Sequence, residues 1–300
     1  MANDSLPSLP PRPLDGHKGT FGTVCVLGGQ ANAPHVMIGG PAFTATAALR
    51  AGAGLAVLAV PAPLVPAALT IAPSATGLAL PTDADGNLVP SLVAALLDTH
   101  LPKYDCLAVG PGLGEGPAQQ QIVMRLVGGE QPAMVIDADA LNALAGVAQF
   151  QRDFRVPAVL TPHPGEYVRL ARALGIEDDP VSPAARPGAA ESLSQRIGCV
   201  VVLKGAGTVV SDGLNTWTNT TGNPALATAG TGDVLTGVIA GLVAQYASGR
   251  GGPLSLYDCA RLGVYTHGLA ADRWRDDHAD ASLLAEDLLR YLPDALATLR

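Results

Sequence analysis

Short, nearly unbroken apolar runs recur along the chain, separated by longer stretches in which apolar positions return every three or four residues. The runs at 22–27 (GTVCVL), 55–60 (LAVLAV), 106–109 (CLAV), 134–137 (MVID), 158–161 (AVLT) and 199–203 (CVVVL) are too short and too apolar for a helix with one solvent face. They predict strands buried on both faces. The intervening segments 42–51, 90–99, 118–127, 165–174 and 189–197 suit crossover helices. This alternation predicts an α/β fold, a mostly parallel central sheet with helices on both faces. Segment 207–218 differs: TVVSDG followed by LNTWTN reads as two short strands turning at Asp212-Gly213. Beyond Thr231 the pattern is helical over 234–246, 257–274 and 283–299. With no repeat and no linker, residues 1–300 read as one domain, with 1–15 as an N-terminal tail and 175–188 as the most flexible interior loop.

Composition narrows the function. A 300-residue chain that is 48% hydrophobic buries one large core, and its 35 glycines and 25 prolines supply the turns that strand-loop-helix units need. The formal net charge is −8, with no block of Lys or Arg, which argues against a nucleic-acid or anionic-membrane surface. A small phosphate-bearing ligand stays open, because backbone N–H groups and a single Lys suffice to hold it. The uncharged stretch from Ala51 to Thr82 is long enough to suggest a membrane span. Pro61, Pro63, Pro66, Pro73 and Pro81 would break such a helix repeatedly, so it reads as a buried strand followed by short apolar elements. Cys25, Cys106, Cys199 and Cys259 form no metal-type pair, and three of them sit in strand-like runs. That pattern, and an N-terminus without a basic start and apolar stretch, predicts a reducing, cytoplasmic setting and no secretory signal.

The candidate chemistry gathers in loops that follow strands, where ligands bind in open parallel sheets. The most informative segment is NPALATAGTGD (223–233), leading into an apolar helix. Gly230, Thr231 and Gly232 permit a tight turn whose N–H groups, with the helix dipole behind them, form an anion hole for a phosphoryl group. Asp233 at the helix mouth is placed to take a proton from an attacking hydroxyl; the competing reading is a plain helix cap. In VVVLKGAGTVVSDG, Lys204 ends a strand, and Gly205, Ala206, Gly207 and Thr208 leave backbone groups free for a nucleotide, or else make an ordinary turn beside a solvated Lys. AVGPGLGEG lacks the third glycine of a dinucleotide fingerprint, and no P-loop motif occurs anywhere; its glycines suggest close approach of backbone to a flat ligand. In LTPHPGE, two prolines present His163 as a candidate ligand group, while Glu166 opens the next helix. His267 reads as packing.

Taken in order, GHKGTFGTVCVLGG, AVGPGLG, VIDADALN, VLTPHPGEYVRL, VVLKGAGTVVSDG, TGNPALATAGTGDVLTGVIAGLVAQ and THGLAAD resemble the ADP- or ATP-dependent NAD(P)H-hydrate dehydratases of the ribokinase-like superfamily. The resemblance spans about residues 16–292. It implies repair of NADH or NADPH that has added water across a ring double bond. The S hydrate is phosphorylated on its new hydroxyl with ADP or ATP and Mg2+, and phosphate is then eliminated. It also implies nucleotide contacts at Lys204, Gly205, Ala206, Gly207, Thr208 and the Gly230–Gly232 turn, and substrate contacts at Gly40, Gly112 or Gly114, His163 and Asp233. Asp233 is then the base, and Glu166 a metal-controlling carboxylate. An epimerase on a separate chain and a homo-oligomer, a tetramer, are implied as well. The competing expectations are a vitamin or sugar kinase of the same fold, and a nucleotide sensor without turnover.

Overall fold

The computed structural model describes residues 5–247 and 251–300. One nine-stranded sheet runs through it in the order β3-β2-β1-β4-β5-β6-β7-β8-β9. The strands are β1 (Thr23–Leu27), β2 (Leu55–Pro61), β3 (Thr76–Leu80), β4 (Cys106–Val109), β5 (Ala133–Ile136), β6 (Ala158–Leu160), β7 (Val200–Leu203), β8 (Val209–Ser211) and β9 (Thr216–Thr218). The first seven pair in parallel, while β8 and β9 form the expected hairpin and join antiparallel to β7. Successive strand residues point to opposite faces. Val24 and Val26 of β1, and Val200 and Val202 of β7, therefore enter one core, whereas Cys25, Leu27, Val201 and Leu203 enter the other. Burial on both faces is why these strands read as unbroken apolar runs.

The helices are α1 (Gly39–Arg50), α2 (Val65–Ile71), α3 (Pro90–His100), α4 (Pro117–Val127), α5 (Asp139–Ala145), α6 (Pro164–Leu174), α7 (Arg186–Ile197), α8 (Thr231–Tyr246), α9 (Leu256–Asp277) and α10 (Ala285–Ala297). Helices α1, α8, α9 and α10 line one core, and α3 to α7 the other. Helix α8 is apolar nearly all round because α1, α9 and the sheet enclose it. Its Gly237 and Gly241 let α1 approach backbone to backbone: a Cβ on Gly237 would lie 2.2 Å from the Thr44 carbonyl oxygen.

The short apolar elements expected after β2 are α2 and the edge strand β3, whose TGLAL sequence has little β-branched character to announce it. Helix α5, only seven residues long, is too short to show a helical period. Helix α7 begins at Arg186, inside the segment read as a flexible loop. Arg186 is buried and donates to the carbonyls of Pro180, Leu203 and Lys204, anchoring that loop to the sheet. Of the expected tail, residues 1–4 lie outside the described residues, and the next part is tied down. Leu9 is buried and its N–H donates to the Leu299 carbonyl at 2.7 Å, while Arg12 stacks on Phe21 and donates to the Gly52 carbonyl. All four cysteines are buried thiols. Among the described residues, no helix is long and apolar enough to cross a membrane.

Candidate active site

The carboxyl ends of β5, β6 and β7 and the amino end of α8 converge. Helix α8 starts after Gly230, whose φ of +91° makes the turn that a side chain would resist, and no described side chain caps it. The first-turn N–H groups of Gly232 and Asp233 are thus not consumed by a cap, and the dipole end stays available for an anion. Asp233 is the third residue of α8, and its carboxylate turns toward the amino end of α1 instead of capping its own helix. A Cβ on Gly40 would stand 3.1 Å from Oδ1 and 3.2 Å from Oδ2, so glycine leaves this approach uncrowded. Thr44 Oγ1 donates to both the Gly40 and Asp233 carbonyls at 3.0 Å, locking α1 to α8 at this point.

Lys204 is not the solvated lysine of a plain hairpin turn. Its Nζ lies 2.6 Å from Asp137 Oδ1 and 3.8 Å from Glu166 Oε2. It also lies 3.7 Å from where a Cβ on Gly232 would be. Burial works against its charge, but Asp137, Glu166 and Asp233 outweigh that and hold its pKa above the ordinary lysine value. Asp137, 1% exposed, accepts a further bond from Thr236 Oγ1 at 2.7 Å. Around Asp233 the balance is reversed. Burial, reinforced by the Asp137 charge, outweighs the attraction of Lys204 and raises the Asp233 carboxyl to about 7. A carboxylate poised there exchanges protons near neutrality, as a general base must.

Between the carboxylates Asp137 and Asp139, Ala138 adopts φ 49° and ψ −124°, a strained conformation for a residue with a Cβ. The strain points the two acids in different directions, Asp137 to Lys204 and Asp139 to the Gly114 N–H, which it accepts at 2.8 Å. The Gly114 N–H is thereby occupied. Gly112, with φ 58°, instead abuts Met37 and Pro41, beside Gly40.

His163 caps α6. Its Nδ1 accepts from the N–H groups of Gly165 and Glu166, and Glu166 Oε2 accepts from the His163 N–H at 2.7 Å. With Nδ1 an acceptor, Nε2 carries the proton in the neutral ring and faces Glu166 Oε1 at 3.4 Å. Burial and then Lys204 hold the ring's pKa below the ordinary histidine value. Burial pushes the Glu166 carboxyl up, against the pull of Lys204. The prolines therefore shape a cap first, and leave one ring nitrogen at the site's edge. The Gly205–Gly207 loop is exposed at the mouth, with Arg186 beneath Gly205, and Thr208 Oγ1 folds back onto the Gly205 carbonyl at 2.9 Å.

No group of three or more His, Cys, Asp or Glu able to hold a metal occurs among the described residues. A cage made wholly of protein ligands does not fit. Mg2+ shared between nucleotide phosphates, waters and one carboxylate does fit, and Glu166 is the buried acid available beside Lys204. A hollow of about 500 Å3 between α3 and α4, lined by Leu97, Asp98 and Arg125, lies at the opposite, amino-terminal edge of the sheet and takes no part. Sequence reasoning placed Asp137 at the strand edge where a site would form but gave it no role, and it passed over Asp139, Thr236 and Arg186. The position of Asp137 at a strand's carboxyl end was the available signal; its partners, 67 and 99 residues away, had none.

A family model described as NAD(P)H-hydrate dehydratase matches residues 24–294. The bifunctional NAD(P)H-hydrate repair enzyme of Moorella thermoacetica is 40% identical over 97% of this chain and 52% of its own length. The chain thus spans about half the length of the first curated relatives it matches. The ADP-dependent (S)-NAD(P)H-hydrate dehydratase of Bacillus subtilis is 34% identical over 95% of this chain and 93% of its own. The solved structure of the ADP/ATP-dependent NAD(P)H-hydrate dehydratase of Bacillus subtilis, co-crystallised with ATP and Mg2+, superposes with a TM-score of 0.76 at 28% identity, covering 100% of both chains. With its ribokinase-like sheet and the Lys204–Asp233 cluster at the sheet's carboxyl edge, the chain belongs to the NAD(P)H-hydrate dehydratase family.

Proposed function

We propose that the chain acts as one ribokinase-like unit that dehydrates the S epimer of hydrated NADH or NADPH at the expense of an adenine nucleotide. The observation that carries this reading is the Asp233 carboxyl, raised to about 7 at the open end of α8 and facing the side-chain-free surface of Gly40. In the first step Asp233 takes the proton from the ring hydroxyl as its oxygen bonds to the terminal phosphorus of the nucleotide. The bridging P–O bond breaks, leaving AMP from ADP or ADP from ATP. The N–H groups of Gly232 and Asp233, with Lys204, meet the negative charge on the transferring group. Glu166 would help to hold Mg2+ alongside the nucleotide phosphates, where the ion would supply neutralisation of phosphate charge. In the second step the ring nitrogen's electrons expel phosphate by breaking the C–O bond, and loss of the neighbouring C–H proton restores the double bond. Phosphorylation is what makes this elimination feasible, because hydroxide is a poor leaving group.

The nucleotide lies along Lys204, Gly205, Ala206, Gly207 and Thr208 and the Gly230–Thr231–Gly232 turn in this reading, with the substrate against Gly40, Gly112, Gly114 and His163. Gly112 is favoured over Gly114 for direct backbone contact, since Asp139 occupies the Gly114 N–H. An epimerase would supply the S hydrate from its epimer, and the uncharged β3 edge suits assembly into a homo-oligomer, a tetramer by family resemblance.

The test incubates the protein with NADH hydrate, Mg2+ and either ADP or ATP. Return of the reduced-nicotinamide absorbance band, with one AMP or ADP formed per hydrate consumed, is expected; comparison of the two nucleotides identifies the donor. A phosphorylated hydrate that accumulates without regaining that band would point to a simple kinase and overturn the proposal.

A further inference from the structure

We propose that His267 is a positioning residue that aims the Gly232 N–H at the transferring phosphoryl group. His267 lies on α9, is 8% exposed, and places Nε2 2.8 Å from the Thr231 carbonyl oxygen. A carbonyl only accepts, so Nε2 carries the proton and the ring donates. The Thr231 carbonyl and the Gly232 N–H are opposite ends of one planar trans peptide and point in opposite directions. Thr231 is the first residue of α8, so the helix already orients this plane, and a donor seated on the carbonyl adds a second hold that keeps the N–H aimed at the open end. Hydrogen bonds in series also polarise one another, which strengthens the forward donor.

Helix α9 also holds the rest of the turn. The Asp272 carboxylate accepts from the Gly222 N–H at 2.8 Å and from Asn223 Nδ2 at 2.9 Å. Gly268 leaves room for Thr221, whose Oγ1 would lie 2.3 Å from a Cβ at that position and which donates to the Tyr265 carbonyl. Thr231 Oγ1 closes the segment on itself by donating to the Leu226 carbonyl at 2.8 Å. Helix α9 thus clamps both ends of the segment from 222 to 231, and His267 is the clamp at the phosphate end. A histidine that only filled space would need some buried acceptor; this one takes the carbonyl whose peptide forms the anion hole. Burial, and then the Lys204 charge, keep the ring neutral, with its pKa lowered to about 4, so the donor persists at neutral pH.

This inference rests on the dehydratase reading, and wild-type turnover of NADH hydrate separates the two: an inactive wild type sinks that reading, whereas an active one leaves His267 to be judged alone. His267→Ala is expected to lower kcat about tenfold or more, with KM for hydrate and for ADP within about threefold, because the lost alignment acts on transition-state charge. His267→Gln, whose amide N–H can reach the same carbonyl, should recover most of the loss. A readout independent of turnover is thermal protection by ADP plus aluminium fluoride, a mimic of the transferring phosphoryl group. Wild type should gain protection beyond ADP alone; His267→Ala should lose that increment and keep the ADP effect. Thr266→Val, which removes a buried hydroxyl without a partner among the described residues, should leave kcat unchanged. Overturning results are a kcat within twofold of wild type in His267→Ala, or equal losses in the Ala and Gln variants. If His267→Ala does not fold, His267→Gln decides: retained turnover and fluoride protection support the role, and a folded Gln variant without them ends it.

Discussion

Replacing Asp233 by Asn should make the protein inactive and, at alkaline pH, more stable. The amide is nearly the same size but carries no charge. In the unfolded chain the carboxyl titrates at its ordinary 3.8, and in the folded protein at about 7. Between those values the folded state binds more protons than the unfolded one, so stability falls as pH rises through the window. At pH 8 the difference of about three units corresponds to at most roughly 4 kcal/mol, and relaxation with partial exposure reduces this to about 2–4 kcal/mol. Asn carries none of this penalty. Urea denaturation of both proteins at pH 8 should therefore favour the variant by about that amount, with the advantage falling to roughly half or less by pH 5. Turnover of NADH hydrate should drop by about 100-fold or more, since the proton acceptor is gone, while ADP binding by calorimetry stays close to wild type. An Asn variant no more stable at pH 8 than at pH 5, relative to wild type, would refute the burial argument. One that retained a tenth of the wild-type rate would refute the assignment of the base.

Further outcomes follow from the same geometry. For the wild type, kcat/KM measured from pH 5.5 to 8.5 should rise through about 7 as Asp233 ionises, and a flat profile would contradict a base with that value. Lys204→Met leaves the Asp137 carboxylate buried without its cation; chemical denaturation should show a loss of about 3–5 kcal/mol, together with weaker nucleotide binding. Gly232→Ala should fold normally, because the new methyl meets Lys204 Nζ at an ordinary 3.7 Å, yet it should lower kcat about tenfold or more by occupying the phosphate space. His267, lowered from 6.5 to about 4, stays neutral when folded and takes up a proton when unfolded. Stability should therefore fall as pH drops from about 6.5 toward 4, by up to roughly 3 kcal/mol, and His267→Gln should show a shallower slope in denaturation against pH.

The apolar runs determined six of the seven parallel strands, because burial on both faces leaves a signature that needs no partner to be read. Likewise, Gly230 and Gly232 and the acid after them pointed to a candidate phosphate site, since glycine makes that turn readily and a carboxylate there can exchange a proton. Local sequence was weaker where the element was short or its character mixed, as in β3 and α5. Tertiary structure alone decided who faces whom. Asp137 meets Lys204 across one intervening strand, Gly40 clears space for a carboxylate carried by another helix, and His267 stands behind a peptide 36 residues earlier. It also decided that Lys204 is partly buried and paired instead of solvated, and that Asp233 titrates near neutrality. Propensity and pattern act over a few residues, whereas burial and charge act through space, and a proton affinity belongs to the whole neighbourhood that packing assembles.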